Sequence, residues 1–389
     1  NVVQTILGSE KLHSISTLVG KRVGLVSNPA SVDHSYQHIS DRIATNKDFT
    51  LATIFGPQHG FHADVQDNMV ETAHAHHPRF GVPIYSLYSD TREPTQEMFD
   101  GIDSLLIDLQ DVGTRVYTYI YTMANCLRIA KRFGIRVVVC DRPNPIGGLA
   151  VEGPVLDSDF CSFVGQFPIP LRHGMTIGEL ALMFNEHFEI GATLEVVPLT
   201  GWSRDMYQND TDVPWIIPSP NLPTLDSAIV YSGTVLVEGT LLSEGRGTTK
   251  PFELIGAPEI DPDALTFALN KLRLPGVHFR PINFEPTFQK HAGRQCGGCQ
   301  IHVTSPKIFQ PVLSGIAVIQ SCRRSLGDQF KWKEPPYEYE YEKLPIDILS
   351  GSSSLRSQIE TGTSAAEIAA SWDAELEVFK KIRADFLLY

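Results

Sequence analysis

LLIDLQDVGTRVYTYIYTMANCLRIAKRFGIRVVVCDRPNP, residues 105–145, decides the fold. Leu105 to Leu109 and Val137 to Cys140 are short apolar runs without alternation, the pattern of strands covered on both faces. Between them Ile120, Met123, Ala124, Leu127 and Ala130 recur at helical spacing, and Gly134 stands where a left-handed residue closes a helix. Strand, helix, strand at this spacing predicts a parallel sheet with a crossover helix. Upstream, Val23 to Ser27 runs into Asn28-Pro29, and Leu51 to Phe55 runs into Gly56-Pro57-Gln58-His59-Gly60. Downstream, Thr176 and Glu179 form a capping box ahead of a helix whose apolar face is Ile177, Leu180, Ala181, Phe184 and Phe188. After Pro258 and Asp261-Pro262 the character changes. Residues 277–320 read as strands with intervening loops, 334–350 are rich in Pro, Tyr and Glu, and a last helix opens with Ser364 and Glu367. The expected division is 1–258, an α/β domain with most of the polar loops, and 259–389, a smaller α+β appendage.

The chain has 389 residues, 42% hydrophobic and 20% charged, with Gly 30 and Pro 26, so it can build a large core without disulfides or metals. Acidic residues (45) exceed basic ones (32), a net charge of −13 that repels a phosphate backbone and argues against a nucleic-acid partner. The six cysteines do not make a disulfide scaffold, and no apolar run is long enough for a membrane-spanning helix. The first strand lacks a G-x-G-x-x-G turn and no phosphate-binding loop follows any strand, so no nucleotide cofactor is expected. His59, His62, His74, His76 and His77 match no metal-ligand spacing, and Cys296-Gly297-Gly298-Cys299 has no second pair, so no metal is expected either.

In open parallel sheets, ligands bind beyond the carboxyl ends of the strands. The loops there carry Asn28, His59, Asp111, Arg115, Asp141, Arg142 and Asn144, and turns alone do not need Arg or His. A second polar loop, Ser243-Glu244-Gly245-Arg246-Gly247-Thr248-Thr249, offers an acceptor and a rigid guanidinium fork between glycines. Sugar chemistry uses two carboxylates, and Glu71, Asp111, Asp141, Glu152 and Glu244 are the candidates; each has an alternative reading as a cap or ion-pair residue. Tyr117, Tyr119, Tyr121, Trp202, Trp215 and Tyr231 are available to stack on sugar faces or to fill the core.

Six blocks taken together carry a resemblance: FGPQHGF (55–61), DLQDVGTRVYTYI (108–120), DRPNPIGG (141–148), RHGMTIGELA (172–181), SPNLPT (219–224) and EGTLLSEGRGTTKPFE (238–253). In this order they resemble the bacterial exo-β-N-acetylmuramidase family NamZ over nearly the whole chain. The resemblance implies a Rossmann-like α/β/α sandwich with a smaller C-terminal appendage, a cleft between them, and no nucleotide. It also implies an exo-acting glycosidase that releases N-acetylmuramic acid from the non-reducing ends of peptidoglycan fragments. On that reading Asp111 and an acid near the 58–71 loop form the carboxylate pair. Arg115, Arg142 and Arg246 hold hydroxyls or the lactyl carboxylate, and Asn28, His59, Tyr117, Asp141, Asn144, His173, Asn221 and Glu244 position the ring.

One position departs from the family pattern. Where the second block usually reads Pro-Glu-His-Gly, this chain has Gln58, which is nearly isosteric but does not ionise. Glu71 or Asp64 is then the expected replacement acid. Two alternatives stay open: a saccharide-binding homologue without catalysis, and a hydrolase of a different amino-sugar glycan. A cell-wall substrate and a first residue other than Met favour export, periplasmic or secreted, over a cytoplasmic location.

Overall fold

The structure, a computed structural model, describes residues 2, 4–57, 75–87 and 95–389. Its N-terminal half is built on strands β1 (Arg22–Ser27), β2 (Thr50–Gly56), β3 (Ala75–His76), β4 (Pro83–Ser86), β5 (Ser104–Asp108), β6 (Arg136–Cys140), β7 (Glu152–Val155), β8 (Pro170–Arg172) and β9 (Leu194–Val197). Seven of them form one sheet in the order β3-β4-β2-β1-β5-β6-β9, parallel throughout except for the short β3 at one edge. Both faces are covered, as unalternating strands require. Leu105, Ile107, Val137 and Val139 point into one core with the helices Tyr119–Phe133 and Ile177–Glu186. Leu106, Val138 and Cys140 point into another, under Ile39 and Ile43 of the helix Ile39–Ala44. The parallel sheet with a crossover helix expected from residues 105–145 is therefore the architecture of this half, in the Rossmann-like layering that the resemblance implies. Gly134 closes the crossover helix at φ 67°, and Thr176 and Glu179 form the expected capping box.

The C-terminal half adds an antiparallel sheet of β10 (Leu254–Ala257), β11 (Val277–Phe284) and β12 (Cys296–Val303) in the order β10-β12-β11. This sheet takes β10 from before residue 258 and its other strands from after it, so a division at 258 passes through the sheet; one placed near the start of the helix Leu225–Thr234 keeps it whole. The Cys296-Gly297-Gly298-Cys299 run is part of β12, and its cysteines are free and buried. A Cβ at Gly298 would lie 1.9 Å from the Ile255 carbonyl oxygen, so the glycine is there to let two strands meet.

Two expectations for this half are corrected. Residues 277–320 are not all strand and loop, because a sixteen-residue helix, Pro311–Leu326, begins inside that range. Its run PVLSGIAVIQSC is buried on every side, and a helix apolar all round carries no period to read. The segment opened by Ser364 and Glu367 does start with a capping box, but the helix ends at Ala370 and a separate one, Asp373–Ala384, follows. Glu152, a candidate carboxylate, is a cap: its two oxygens accept the backbone N–H groups of Val312 and Leu313 at 3.1 Å each, at the start of the Pro311–Leu326 helix.

Candidate functional site

Strand order across the large sheet reverses between β1 and β5, where β1 continues outward to β2 and the later strands β5, β6 and β9 lie on its other side. Ligands collect beyond the strand ends at such a point. Here Asn28 follows β1, Asp108 ends β5 and Arg142 follows β6, and all three are buried. Arg142 donates to Asp108 Oδ1 at 2.7 Å and to the Val32 carbonyl at 2.7 Å. Ser31 Oγ donates to the Asp108 carbonyl at 2.5 Å, and the Asn28 amide donates to Pro218 O at 3.4 Å. The floor of the crevice is thus a closed polar network.

Several predicted substrate contacts belong to that framework instead. Arg142 Nε and Nη2 are engaged by Asp108 and the Val32 carbonyl, so two of its three nitrogens serve the frame. The expected role of Arg115 on a ligand is corrected. Arg115 is fully buried and donates to the carbonyls of Pro154 (2.6 Å), Ile169 (2.9 Å) and Leu349 (2.9 Å), where burial lowers its pKa to about 10. Asp141 accepts from Gly178 N (2.8 Å), Thr176 Oγ1 (2.7 Å) and the Tyr389 hydroxyl (2.6 Å), so it anchors a helix start rather than a sugar. Burial pushes its carboxyl up to about 6 against the pull of those donors. Asn144 donates to Met175 O at 3.0 Å and accepts from Ile146 N at 3.1 Å, which is the work of a turn.

Asp111 and His173 meet directly. His173 Nδ1 accepts from Met175 N at 3.2 Å, which leaves Nε2 to carry the proton and donate to Asp111 Oδ2 at 3.1 Å. Both side chains are buried, and Asp111 Oδ1 has no hydrogen-bond partner among the described residues. Gln58, His59, Asp64 and Glu71 lie outside the described residues. Of the remaining histidines in that stretch, His76 is exposed on β3 and His77 stacks on Phe80 at 4.3 Å.

A small pocket of about 40 Å3 lies where the two halves of the chain meet, and its wall includes Tyr117, Asn221, Tyr231, Glu238, Arg246 and Tyr337. Tyr117, Asn221, Tyr231 and Arg246 stand out in the sequence, and the fold brings these four together. Glu238 and Tyr337 line the same wall. Glu238 is the residue that sequence reasoning passed over as a carboxylate, although it opens the 238–253 block; its neighbour Glu244 drew attention because it sits between glycines. The Glu238 carboxylate takes a hydrogen bond from Arg246 Nη2 on one oxygen and from the Tyr337 hydroxyl on the other. Arg246 Nε faces Glu244 Oε1 at 3.3 Å, and Lys290 Nζ reaches Glu244 Oε2 at 2.8 Å. Burial alone would push the Glu244 carboxyl up, but Lys290 and Arg246 outweigh it and hold it below its ordinary value. Burial, together with the charge of Glu238, keeps the Tyr231 and Tyr337 phenols protonated.

Aromatic faces enclose the acid. Tyr231 stands edge-on to both Phe252 (4.8 Å) and Tyr117 (6.1 Å), and the Arg246 guanidinium lies over Phe252 at 5.4 Å. Among the described residues eight non-glycine residues have positive φ, and two of them, Phe252 and Glu338, line this wall. Strained backbone persists where the surroundings over-determine it. Among the described residues no three His, Cys, Asp or Glu side chains converge as metal ligands would.

A parallel α/β scaffold without a dinucleotide turn, carrying an acidic, aromatic-walled pocket at the seam of its two halves, belongs to the class of small-molecule or saccharide-processing α/β proteins. The NamZ N-terminal family, described as exo-beta-N-acetylmuramidase NamZ, matches residues 23–226, and the corresponding C-terminal family matches residues 229–389. The chain belongs to the NamZ family. It is 48% identical over 372 residues to the peptidoglycan beta-N-acetylmuramidase NamZ of Bacillus subtilis (strain 168), covering 96% of this chain and 88% of that one. Two crystal structures of DUF1343 family proteins from Bacteroides fragilis NCTC 9343 share the fold, each covering 99% of both chains: one at TM-score 0.89 and 33% identity, the other at 0.75 and 30%.

Proposed function

We propose that this chain is an exo-acting β-N-acetylmuramidase, a glycoside hydrolase that releases N-acetylmuramic acid from the non-reducing ends of peptidoglycan-derived fragments in cell-wall turnover. The observation that carries the reading at the level of the site is Glu238, a buried carboxylate held between Arg246 and Tyr337 on the wall of the pocket. A carboxylate hydrogen-bonded to a neighbouring guanidinium suits the partner that stabilises an oxocarbenium-like transition state or activates water. Tyr117 and Tyr231 offer ring faces and Asn221 an amide to the sugar. The proton for the leaving oxygen is assigned to the 58–71 segment, where Glu71 and Asp64 are the ionisable candidates and Gln58 is not. Export to the periplasm or the exterior would bring such an enzyme to its substrate.

Release of N-acetylmuramic acid from a muramyl-glucosamine disaccharide tests the reading, with Glu238→Gln, Asp111→Asn, Glu71→Gln and Gln58→Glu run beside the parent. Glu238→Gln is expected to lower kcat by about 10²–10⁴-fold while the protein stays folded; parent-level turnover by that variant overturns the assignment of Glu238. Gln58 favours one second reading, a protein that binds the saccharide without cleaving it. An inactive parent whose activity appears in Gln58→Glu would establish that reading instead.

A further inference from the structure

We propose that Lys290 is a positioning residue for Glu238, acting through the buried chain Lys290–Glu244–Arg246–Glu238. The proposal rests on the reading that Glu238 is the carboxylate of the site. The chain alternates in sign along its length: ammonium, carboxylate, guanidinium, carboxylate. It also closes on itself. Lys290 Nζ donates to the Val237 carbonyl at 3.2 Å and reaches the Glu238 carbonyl at 3.5 Å, so one cation holds both the far end of the side-chain relay and the backbone that carries its near end.

The loop between β11 and β12 is built to deliver this side chain. Thr287 N and Thr287 Oγ1 both donate to the Gly247 carbonyl, at 2.9 and 2.7 Å, and His291 Nε2 meets the Leu241 carbonyl at 2.7 Å. Gly247 has φ 81°, and a Cβ there would lie 2.7 Å from Phe288 N, so the two loops meet backbone to backbone. Gln289 and His291, on either side of Lys290, both hold positive φ, a strain that the docking offsets. Lys290 thus stands behind the site wall, on Glu244 and on the backbone of Val237 and Glu238, and a surface lysine would not need strained neighbours on both sides.

Removing the ammonium leaves Glu244 with Arg246 alone, and the guanidinium is then drawn from Glu238 toward the uncompensated charge. The other ionisable groups facing the chain are Tyr231 and Tyr337 beside Glu238, Glu338 beside Tyr337, and Lys333 near Lys290. None of these is a cation on Glu238, so none replaces Arg246.

The experiment compares the parent with Lys290→Met, Lys290→Arg and the double variant Lys290→Met/Glu244→Gln. With the disaccharide, Lys290→Met is expected to lose about 10–100-fold in kcat with KM within about threefold, and Lys290→Arg to retain most of the rate. The double variant, which removes the stranded carboxylate along with its partner, is expected to recover to within about fivefold of the parent. Additive losses in the double variant, or a Lys290→Arg as impaired as Lys290→Met, would overturn the relay. A second readout needs no turnover: carboxyl-carbon NMR of glutamate-labelled protein, with Glu238 assigned through Glu238→Gln. In Lys290→Met the Glu238 carboxyl resonance at neutral pH is expected to move from its position in the parent, because its guanidinium partner is displaced, and to return in the double variant. An unmoved resonance in folded Lys290→Met refutes the relay, whereas an inactive parent with a moved resonance counts only against the enzymatic reading.

Discussion

Glu253 closes the block that Glu238 opens, and its buried carboxyl has Oε2 unpaired among the described residues, with Lys250 Nζ 3.9 Å away. Burial, with the charge of Asp226 added, pushes its pKa up to about 7 despite the pull of Lys250. A raised folded-state value means that the folded chain binds the proton more tightly than the unfolded one. The stability this contributes is fully present below about pH 4.5 and is lost as pH rises through about 7. Glu253→Gln removes that loss, so the variant should match the parent at pH 4.5 and exceed it by about 1–2 kcal/mol at pH 8, after discounting for partial solvent screening. Urea midpoints at the two pH values check it; equal midpoints at pH 8 would mean that the carboxylate finds a partner when it ionises. The same scale shows where residue-level reading stops. Arg115 and Arg142 look like ligand contacts because arginine in a polar loop at a strand end usually has work to do. Their work here is to bond backbone carbonyls and Asp108, and those partners lie up to 234 positions away in the chain.

At the scale of elements, legibility followed periodicity. The strands around residues 105–145, the crossover helix and the Thr176 capping box each announce themselves in a few residues, since capping and burial on two faces leave local marks. The Pro311–Leu326 helix leaves none, because it is packed against the helices Leu225–Thr234, Pro262–Lys271 and Ala365–Ala370, and its run Pro311 to Cys322 is buried on every side. Its one local signal is Pro311 at the first turn, a position proline favours. Gly233 and Gly315 explain how it fits: a Cβ at Gly233 would lie 1.8 Å from the Pro311 carbonyl oxygen, and one at Gly315 would lie 2.5 Å from Gly233 itself. These two helices touch through glycine, and the touching atoms are backbone that no rotamer change can move aside. Gly233→Ala is therefore expected to destabilise by about 3 kcal/mol or more, beyond the usual overpacking range, even though alanine is the better helix former by about 1 kcal/mol. Chemical denaturation measures it, and a neutral or stabilised variant would show that the helices can part without cost. Because Tyr231 stands on the same helix, an increased KM should accompany the loss.

The whole molecule is joined at a point that no single segment predicts. The pocket wall draws Tyr117 from the loop after β5, Asn221 from the stretch before the Leu225–Thr234 helix, and Tyr337 from near the C-terminal helices, so the site exists only when both halves are in register. Arg115 sets that register. Its guanidinium binds carbonyls from β7, from the approach to β8, and from the helix Pro345–Ser350, and thereby ties the loop after β5 to the C-terminal half. Arg115→Met fills a similar volume but leaves three buried carbonyls without that donor, at about 1–2 kcal/mol apiece, while sparing the chain the burial of an unneutralised cation. The carbonyls outnumber the cation, so the net loss should be about 3 kcal/mol. For a chain of this length that corresponds to a fall in Tm of roughly 4 °C, from a transition entropy of about 2 cal/mol/K per residue. Differential scanning calorimetry decides between the two terms. A Tm at or above that of the parent would mean that the buried charge costs more than its three bonds return, and that register is held by packing alone. A lowered Tm with the pocket variants unaffected in binding would place Arg115 in the frame, remote from the sugar, and leave Arg246 as the arginine of the site.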